Sequence, residues 1–282
     1  MLHRKIRVAL SMLAPLLLAA CFLLPGKFAS TLDVRRDGHF AFAYKGEIVV
    51  FNPEAMNGKV TPVRDDPDAP CFGSASSPAP VAATATRHVC SKAEQAARTA
   101  NVARMNAEAA ERRKHEGEQL AKMIGMDPGD ESSMQAYAAV LQKQAGWRSV
   151  TYRGKGVFDV DFQQSGTLDR DFVFPLLPRT NYIMPFVVIR KRADGAVLVS
   201  APGFHANPMA AFANGLNGMA GAAPKVPGTN GPQGSLTITS DAAPLTNNTD
   251  DGPTRDGDRS VLRWAIGPAS DKIPEALLPL VQ

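Results

Sequence analysis

From Leu32 to Phe51, apolar and polar residues alternate with the two-residue period of a half-buried strand, broken at Arg36-Asp37-Gly38. A two-residue Asp37-Gly38 turn would pair Val34 with Ala41 and set Phe40, Phe42 and Tyr44 beside Asp33 and Arg35. A three-residue loop, Arg36-Asp37-Gly38, pairs Val34 with Phe40 and Leu32 with Phe42. That second register is the predicted one. It gathers Leu32, Val34, Phe40, Phe42 and Tyr44 on one face and places Gly38 at the left-handed position such loops need. "EIVVF", the Asn52-Pro53 break, Asn57-Gly58 and "KVTPV" predict a further short pairing.

The period then changes. Residues 64–90, rich in Pro, Asp, Ala and Ser, read as a linker. Ser91 is placed to cap a long helix that Gly125 ends. Its apolar residues are mostly alanine and its charges are mixed in sign, which predicts a solvated helix. A second helix is predicted from Ser132 or Ser133 to about Ala145, with Met134, Tyr137, Ala138 and Leu141 on its core stripe. After Gly146-Trp147, Phe158, Val160 and Phe162 alternate with Asp159, Asp161 and Gln163, and a turn is expected at Ser165-Gly166. "YIMPFVVIRKRADGAVLVSAPGF" reads as a hairpin around Asp194-Gly195. "SLTITS" and "SVLRWAI" follow as strands, the latter with Leu262, Trp264 and Ile266 facing one way.

Strands, then helices, then strands in hairpins imply an α+β fold. It is a mostly antiparallel β-sheet with a two-helix insertion between the N-terminal hairpin and the later strands. One domain, 28–282, is expected. Its parts are N-terminal strands 28–63, linker 64–90, helical insertion 91–146, strands 147–203, a flexible loop 204–234 and C-terminal strands 235–282. Inside that loop Met209, Phe212, Leu216 and Met219 share a helical stripe suited to touching a lipid or a partner.

Charge alters this picture only at the N-terminus. The 282 residues carry a formal +4, but Arg4, Lys5 and Arg7 lie within the first 20 residues, which contain no acid. Without them 28 basic residues face 27 acidic ones, so no nucleic-acid partner is expected. His3 to Arg7 forms a positive region and Val8 to Ala20 an apolar one, the pattern of a signal peptide. Leu18-Ala19-Ala20-Cys21 then resembles the lipobox of bacterial lipoproteins. The resemblance implies that the leader 1–20 is removed and that Cys21 carries acyl chains of the palmitate type. Residues 21–27 would then be a lipidated anchor segment, with Phe22, Leu23 and Leu24 against the membrane. The alternative is an uncleaved signal anchor, since the apolar stretch continues to Leu24, although Pro15 interrupts it.

Three cysteines are awkward in an exported protein. Assigning Cys21 to lipid leaves Cys71 and Cys90, which bracket a Pro/Ala/Ser segment and are expected to form a disulfide; two buried or free thiols are the alternative.

Catalytic chemistry is mostly missing from the sequence. His3, His39, His88, His115 and His205 are scattered, and "HEGEQ" lacks the second histidine of a zinc helix. There is no nucleophile elbow, phosphate loop or Cys-x-x-Cys pair. The strongest enzyme candidate is an envelope hydrolase using Asp159, Asp161, Asp169 and Asp171, brought together by the Ser165-Gly166 turn, but a solvated sheet face neutralised by Arg153, Lys155 and Arg170 is the preferred reading. Asn247, Asp251, Gly252 and Asp258 partly match a calcium loop, but no bidentate Glu ends it, and a loop joining two strands is preferred. No catalytic residue, metal or cofactor is assigned.

Cys21 to Phe51, "GWRSVTYRGKGVFDVDF", "DFVFPLLP" and the "NNTDDGP…VLRWAI" ending together resemble lipoproteins of Gram-negative bacteria that bring no assigned activity. More distantly, the hairpin, helices and returning strands behind a lipobox look like LppM-type lipoprotein domains, which resemble lipid-binding folds. These resemblances imply a non-enzymatic, lipid-anchored envelope protein with a binding or assembly role, whose partner is a lipid or another envelope protein. Phe22, where Asp would signal retention in the inner membrane, implies delivery to the outer membrane.

Overall fold

A computed structural model of the chain describes residues 23–50, 63–64, 66, 69–72, 87–177, 184–207 and 231–280. The strands are β1 (Leu23–Val34), β2 (His39–Val50), β3 (Cys71–Phe72), β4 (Arg87–His88), β5 (Trp147–Gly154), β6 (Val157–Thr167), β7 (Phe172–Phe174), β8 (Val187–Lys191), β9 (Ala196–Ser200), β10 (Gln233–Ser240), β11 (Thr246–Asn247), β12 (Thr254–Asp256), β13 (Arg259–Ile266) and β14 (Glu275–Pro279). The helices are α1 (Lys92–Ile124) and α2 (Glu131–Gln142). The expected α+β class, with its helical insertion after the first hairpin, is present. By its internal contacts the chain divides into two compact units, Met1–Met56 with Leu120–Gln282 and Asn57–Gln119.

In the first unit a seven-stranded sheet runs β12-β13-β10-β1-β2-β6-β5 and a five-stranded one β11-β14-β9-β8-β7. Among the described strands all pairings are antiparallel except β1 with β10. Hairpin β1–β2 has the predicted register, Val34 opposite Phe40 and Leu32 opposite Phe42. Its loop closes with Arg35 N–H on His39 O (2.8 Å) and Gly38 N–H on Arg35 O (3.0 Å), and Gly38 has φ 85°. Hairpin β8–β9 repeats the device with Arg192, Gly195 and Ala196. In each loop the aspartate accepts a backbone N–H two residues on, Asp37 from His39 and Asp194 from Ala196. That bond is the first reason both carboxyls lie below their usual range.

The two sheets pack through aromatic rings. Phe42 and Tyr44 on β2 each lie 5.1 Å from Phe174 on β7, Phe40 lies 5.1 Å from Phe172, and Phe28 stacks on Phe204 at 4.2 Å. Tyr44 is fully buried and donates its hydroxyl to Glu47 O (2.7 Å); burial raises its pKa well above the ordinary phenol value.

Several expected boundaries are corrected. β1 begins at Leu23, not after Lys27, because a bulge between Pro25 and Phe28 takes up Gly26 and Lys27 and lets the pairing with β2 continue to Leu23. β6 runs straight through Ser165-Gly166, where a turn was expected, because Ala41 and Phe40 on β2 supply its ladder. Helix α2 is capped by Asp130, which accepts from Ser132 and Ser133 N–H, and it ends at Gln142. Its predicted stripe, Met134, Tyr137, Ala138 and Leu141, is buried. The "KVTPV" pairing lies outside the described residues apart from Val63.

In the second unit Ser91 and Glu94 form a reciprocal capping box. Glu94 Oε2 accepts Ser91 N–H (2.8 Å), while Glu94 N–H donates to Ser91 Oγ (3.3 Å). Gly125, with φ 79°, follows α1 as predicted. The described face of α1 between Lys92 and Arg112 is half-buried or exposed throughout.

Candidate functional site

Leu23 and Leu24 are buried members of β1, 4% and 6% exposed, opposite Val50 and Val49. The expectation that they rest against a membrane is therefore corrected. Cys21, Phe22, Met209, Phe212, Leu216 and Met219 lie outside the described residues. Trp264 faces inward with Leu262 and Ile266, as predicted, and it is core.

At the entry of the chain into the sheet, Leu23 lines a shallow apolar cavity with Ile48, Val50, Met126, Tyr137 and Leu141. Only about 10 Å³ of it is enclosed, room for about one water. The Tyr137 hydroxyl is buried without a hydrogen-bond partner, and burial pushes its pKa up to about 12. Glu131 at the start of α2 accepts from the Tyr152 hydroxyl (2.6 Å) and from Lys155 N–H (3.2 Å), tying the β5–β6 turn to the helix. Neither feature is legible in the sequence, since both depend on α2 docking over β5.

The four aspartates do not converge. Asp159 and Asp161 share the outward face of β6, but that strand continues to Thr167, about 20 Å beyond Asp161. Paired glycosidase carboxylates stand about 5–10 Å apart. Arg153 Nη1 holds Asp159 at 2.7 Å, and Asp171 faces Arg190 Nε at 3.7 Å. The open strand separates the two pairs of carboxylates, and arginines engage Asp159, Asp169 and Asp171, so these residues form the preferred solvated sheet face and not the alternative hydrolase site.

The 247–259 segment is a fold element. Asn247 Oδ1 accepts Thr249 N–H (3.1 Å), Asp250 pairs with Lys272 (2.9 Å), and the chain re-enters the sheet as β12 at Thr254. Among the described residues no group of three or more His, Cys, Asp or Glu is placed to hold a metal ion. Asn248, unremarked in the sequence, joins three chain segments. Its Oδ1 accepts from Trp264 Nε1 (3.0 Å) and Glu275 N–H (2.9 Å), and its Nδ2 donates to Ile273 O (2.7 Å). Asn248→Ala is expected to cost about 2–3 kcal/mol by orphaning the Trp264 indole N–H, read as a lower urea midpoint at unchanged slope. An unchanged midpoint would show that water replaces the amide without loss.

Cys71 and Cys90 form the expected disulfide, 19 residues apart in sequence. It joins β3 to the residue preceding the cap of α1. Among the described residues β3 and β4 pair through Cys71–His88 and Phe72–Arg87, a short ladder that the covalent link reinforces. The chain-entropy model gives it about 3 kcal/mol. Arg98 Nη1 donates to Ala69 O (2.8 Å) and reaches Cys90 Sγ (3.6 Å). His88 Nε2 lies 3.0 Å from Glu94 Oε1.

The Glu94 carboxyl is lowered from its ordinary 4.5 to about 2, first by the Ser91 N–H, then by the Ser91 hydroxyl and His88. A depressed carboxyl stabilises fully above pH 4.5, and that support is lost as pH falls toward 2. The helical circular dichroism of α1 is expected to weaken across that window, and Glu94→Gln to remove this component. Identical acid profiles for the two chains would contradict the capping assignment.

No family model, curated protein or solved structure matches this chain. Among the described residues no helix is long and apolar enough to cross a membrane.

Proposed function

We propose that the protein is a lipid-anchored, non-enzymatic binding or assembly module of the bacterial cell envelope. It is carried by acyl chains on Cys21, on the periplasmic side of the outer membrane, and works on a lipid or an envelope protein. The observation that supports this best is the start of β1 at Leu23, two residues after Cys21, in the middle of the seven-stranded sheet. Two residues reach about 7 Å at full extension. An anchor there holds the folded unit close to the bilayer, with no tether to hang from. The Cys71–Cys90 disulfide adds a second support, because such bonds persist in oxidising compartments outside the cytosol.

The test is metabolic labelling of a bacterial host with an alkyne-bearing fatty acid. Wild type is expected to take up label and Cys21→Ser to take up none. Label retained by Cys21→Ser, or absent from wild type, would overturn the assignment.

A further inference from the structure

The second unit places a disulfide where one of its sulfurs is unusually well served as a leaving group. Cys90 directly precedes Ser91, the cap of the 33-residue helix α1, so its sulfur lies at the positive end of the helix dipole. Arg98, two turns into the same helix, reaches back to Cys90 Sγ at 3.6 Å. Cys71 has no such contact among the described residues; it lies on β3, opposite His88. Among the described residues the other charged groups nearby include Glu94, which opposes an anion on Cys90, and His88, which engages Glu94 at 3.0 Å; Arg87 pairs opposite Phe72. Both cysteines are half-buried, so a thiol in solution can reach the bond.

We propose that Cys71–Cys90 is a redox-active disulfide that exchanges with a dithiol partner, with Cys90 as the sulfur that leaves as a thiolate. Helix N-termini and adjacent arginines are the surroundings that stabilise thiolates, and a stabilised leaving thiolate speeds exchange and shifts the equilibrium toward the reduced pair. The dithiol, ionised at both sulfurs, attacks Cys71 Sγ with the first. The Cys71–Cys90 bond breaks and its electron pair departs on Cys90, beside Arg98. The partner's second thiolate then attacks the partner sulfur of the mixed disulfide. This forms the partner's own disulfide and expels Cys71, which takes a proton from solvent. Two electrons pass from the partner to the protein, leaving a thiol at Cys71 and a thiolate at Cys90. Among the described residues, reduction then leaves β3–β4 held by two residue pairs, so the same step that accepts electrons also loosens the segment ahead of α1. The proposal rests on the second unit alone and holds whether or not Cys21 carries lipid.

The test uses the full chain carrying Cys21→Ser, so that only the pair is counted. The protein is equilibrated with graded ratios of reduced to oxidised glutathione, and free thiols are then trapped with a maleimide mass tag. Wild-type Arg98 is expected to give half-reduction within the series. Arg98→Gln, which keeps a donor for Ala69 O but removes the charge, should move the midpoint about tenfold toward the disulfide, about 30 mV for two electrons. Arg98→Lys should move it less than Arg98→Gln. In a Cys71→Ser chain, alkylation of Cys90 by iodoacetamide should rise with pH well below the ordinary cysteine value of about 8.5, and Arg98→Gln should move that rise upward. A pair that stays oxidised throughout the series, or an Arg98→Gln midpoint equal to wild type, would overturn the proposal. So would a Cys90 that alkylates as an ordinary thiol.

Discussion

Gly234→Ala is expected to destabilise the first unit by about 3 kcal/mol or more, a fall of roughly 10 °C in Tm. A Cβ at Gly234 would stand 1.9 Å from Phe28 O and 2.8 Å from Phe28 C, both backbone atoms that cannot rotate away. The reason is the bulge in β1. Between Pro25 and Phe28 the strand takes up an irregular step, and its backbone is pressed sideways between its two neighbours. Gly234 of β10 meets it from one side. Gly46 of β2 meets it from the other, where a Cβ would come within 2.2 Å of Lys27 O. The two glycines are the space the bulge needs. Since β1 is the central strand, displacing it disturbs the pairing to β10 and to β2 together. Thermal unfolding by circular dichroism reads the effect, and a Tm within a degree or two of wild type would mean that β1 and β10 are not packed this closely.

Phe174→Ala is expected to cost about 3–5 kcal/mol, the range for emptying an aromatic site in a closed core. Phe174 is fully buried on β7 and meets Phe42, Tyr44, Trp147, Phe162 and Phe186, with centroid separations from 4.7 to 6.0 Å. With Phe172, it is a β7 ring through which the five-stranded sheet engages the seven-stranded one. Phe174→Leu should recover much of the loss, since it refills volume without the ring contacts. Urea unfolding followed by the fluorescence of Trp147, 6.0 Å from Phe174, measures both variants. Equal midpoints for Phe174→Ala and wild type would place this ring outside the core.

The elements that the sequence announced are those with local causes. Slipping β1–β2 by one residue would turn Phe40, Phe42 and Tyr44 to solvent, so alternation and Gly38 together determine the register. Ser91, Glu94 and Gly125 mark the ends of α1 through capping chemistry that neighbouring residues supply. Distant causes were hidden. The parallel pairing of Lys27 with Gln233 joins residues about 200 positions apart, and nothing in either strand names the other. Residues 21–27 read as an anchor segment ahead of the sheet because a bulge is a property of the pair, not of the strand. Ser165-Gly166 read as a turn because small polar residues fit turns, yet the ladder from β2 carries β6 past them. β14 is five residues long and was not anticipated as a strand.

For the site, the Cys71–Cys90 pairing was legible from cysteine arithmetic, whereas the Arg98 contact required α1 to be built first. The aspartate cluster failed for the reason β6 was misjudged: without the turn, Asp169 and Asp171 lie far along the chain from Asp159 and Asp161. The membrane role expected of Leu23 and Leu24 passed to the core when β1 proved longer. That change starts the fold two residues after Cys21, the proposed site of the anchor.

Intact mass spectrometry of the chain isolated from a bacterial envelope tests the central claim most directly. The account predicts a mature protein that lacks residues 1–20 and carries added acyl mass on Cys21. A full-length, unacylated chain would contradict it.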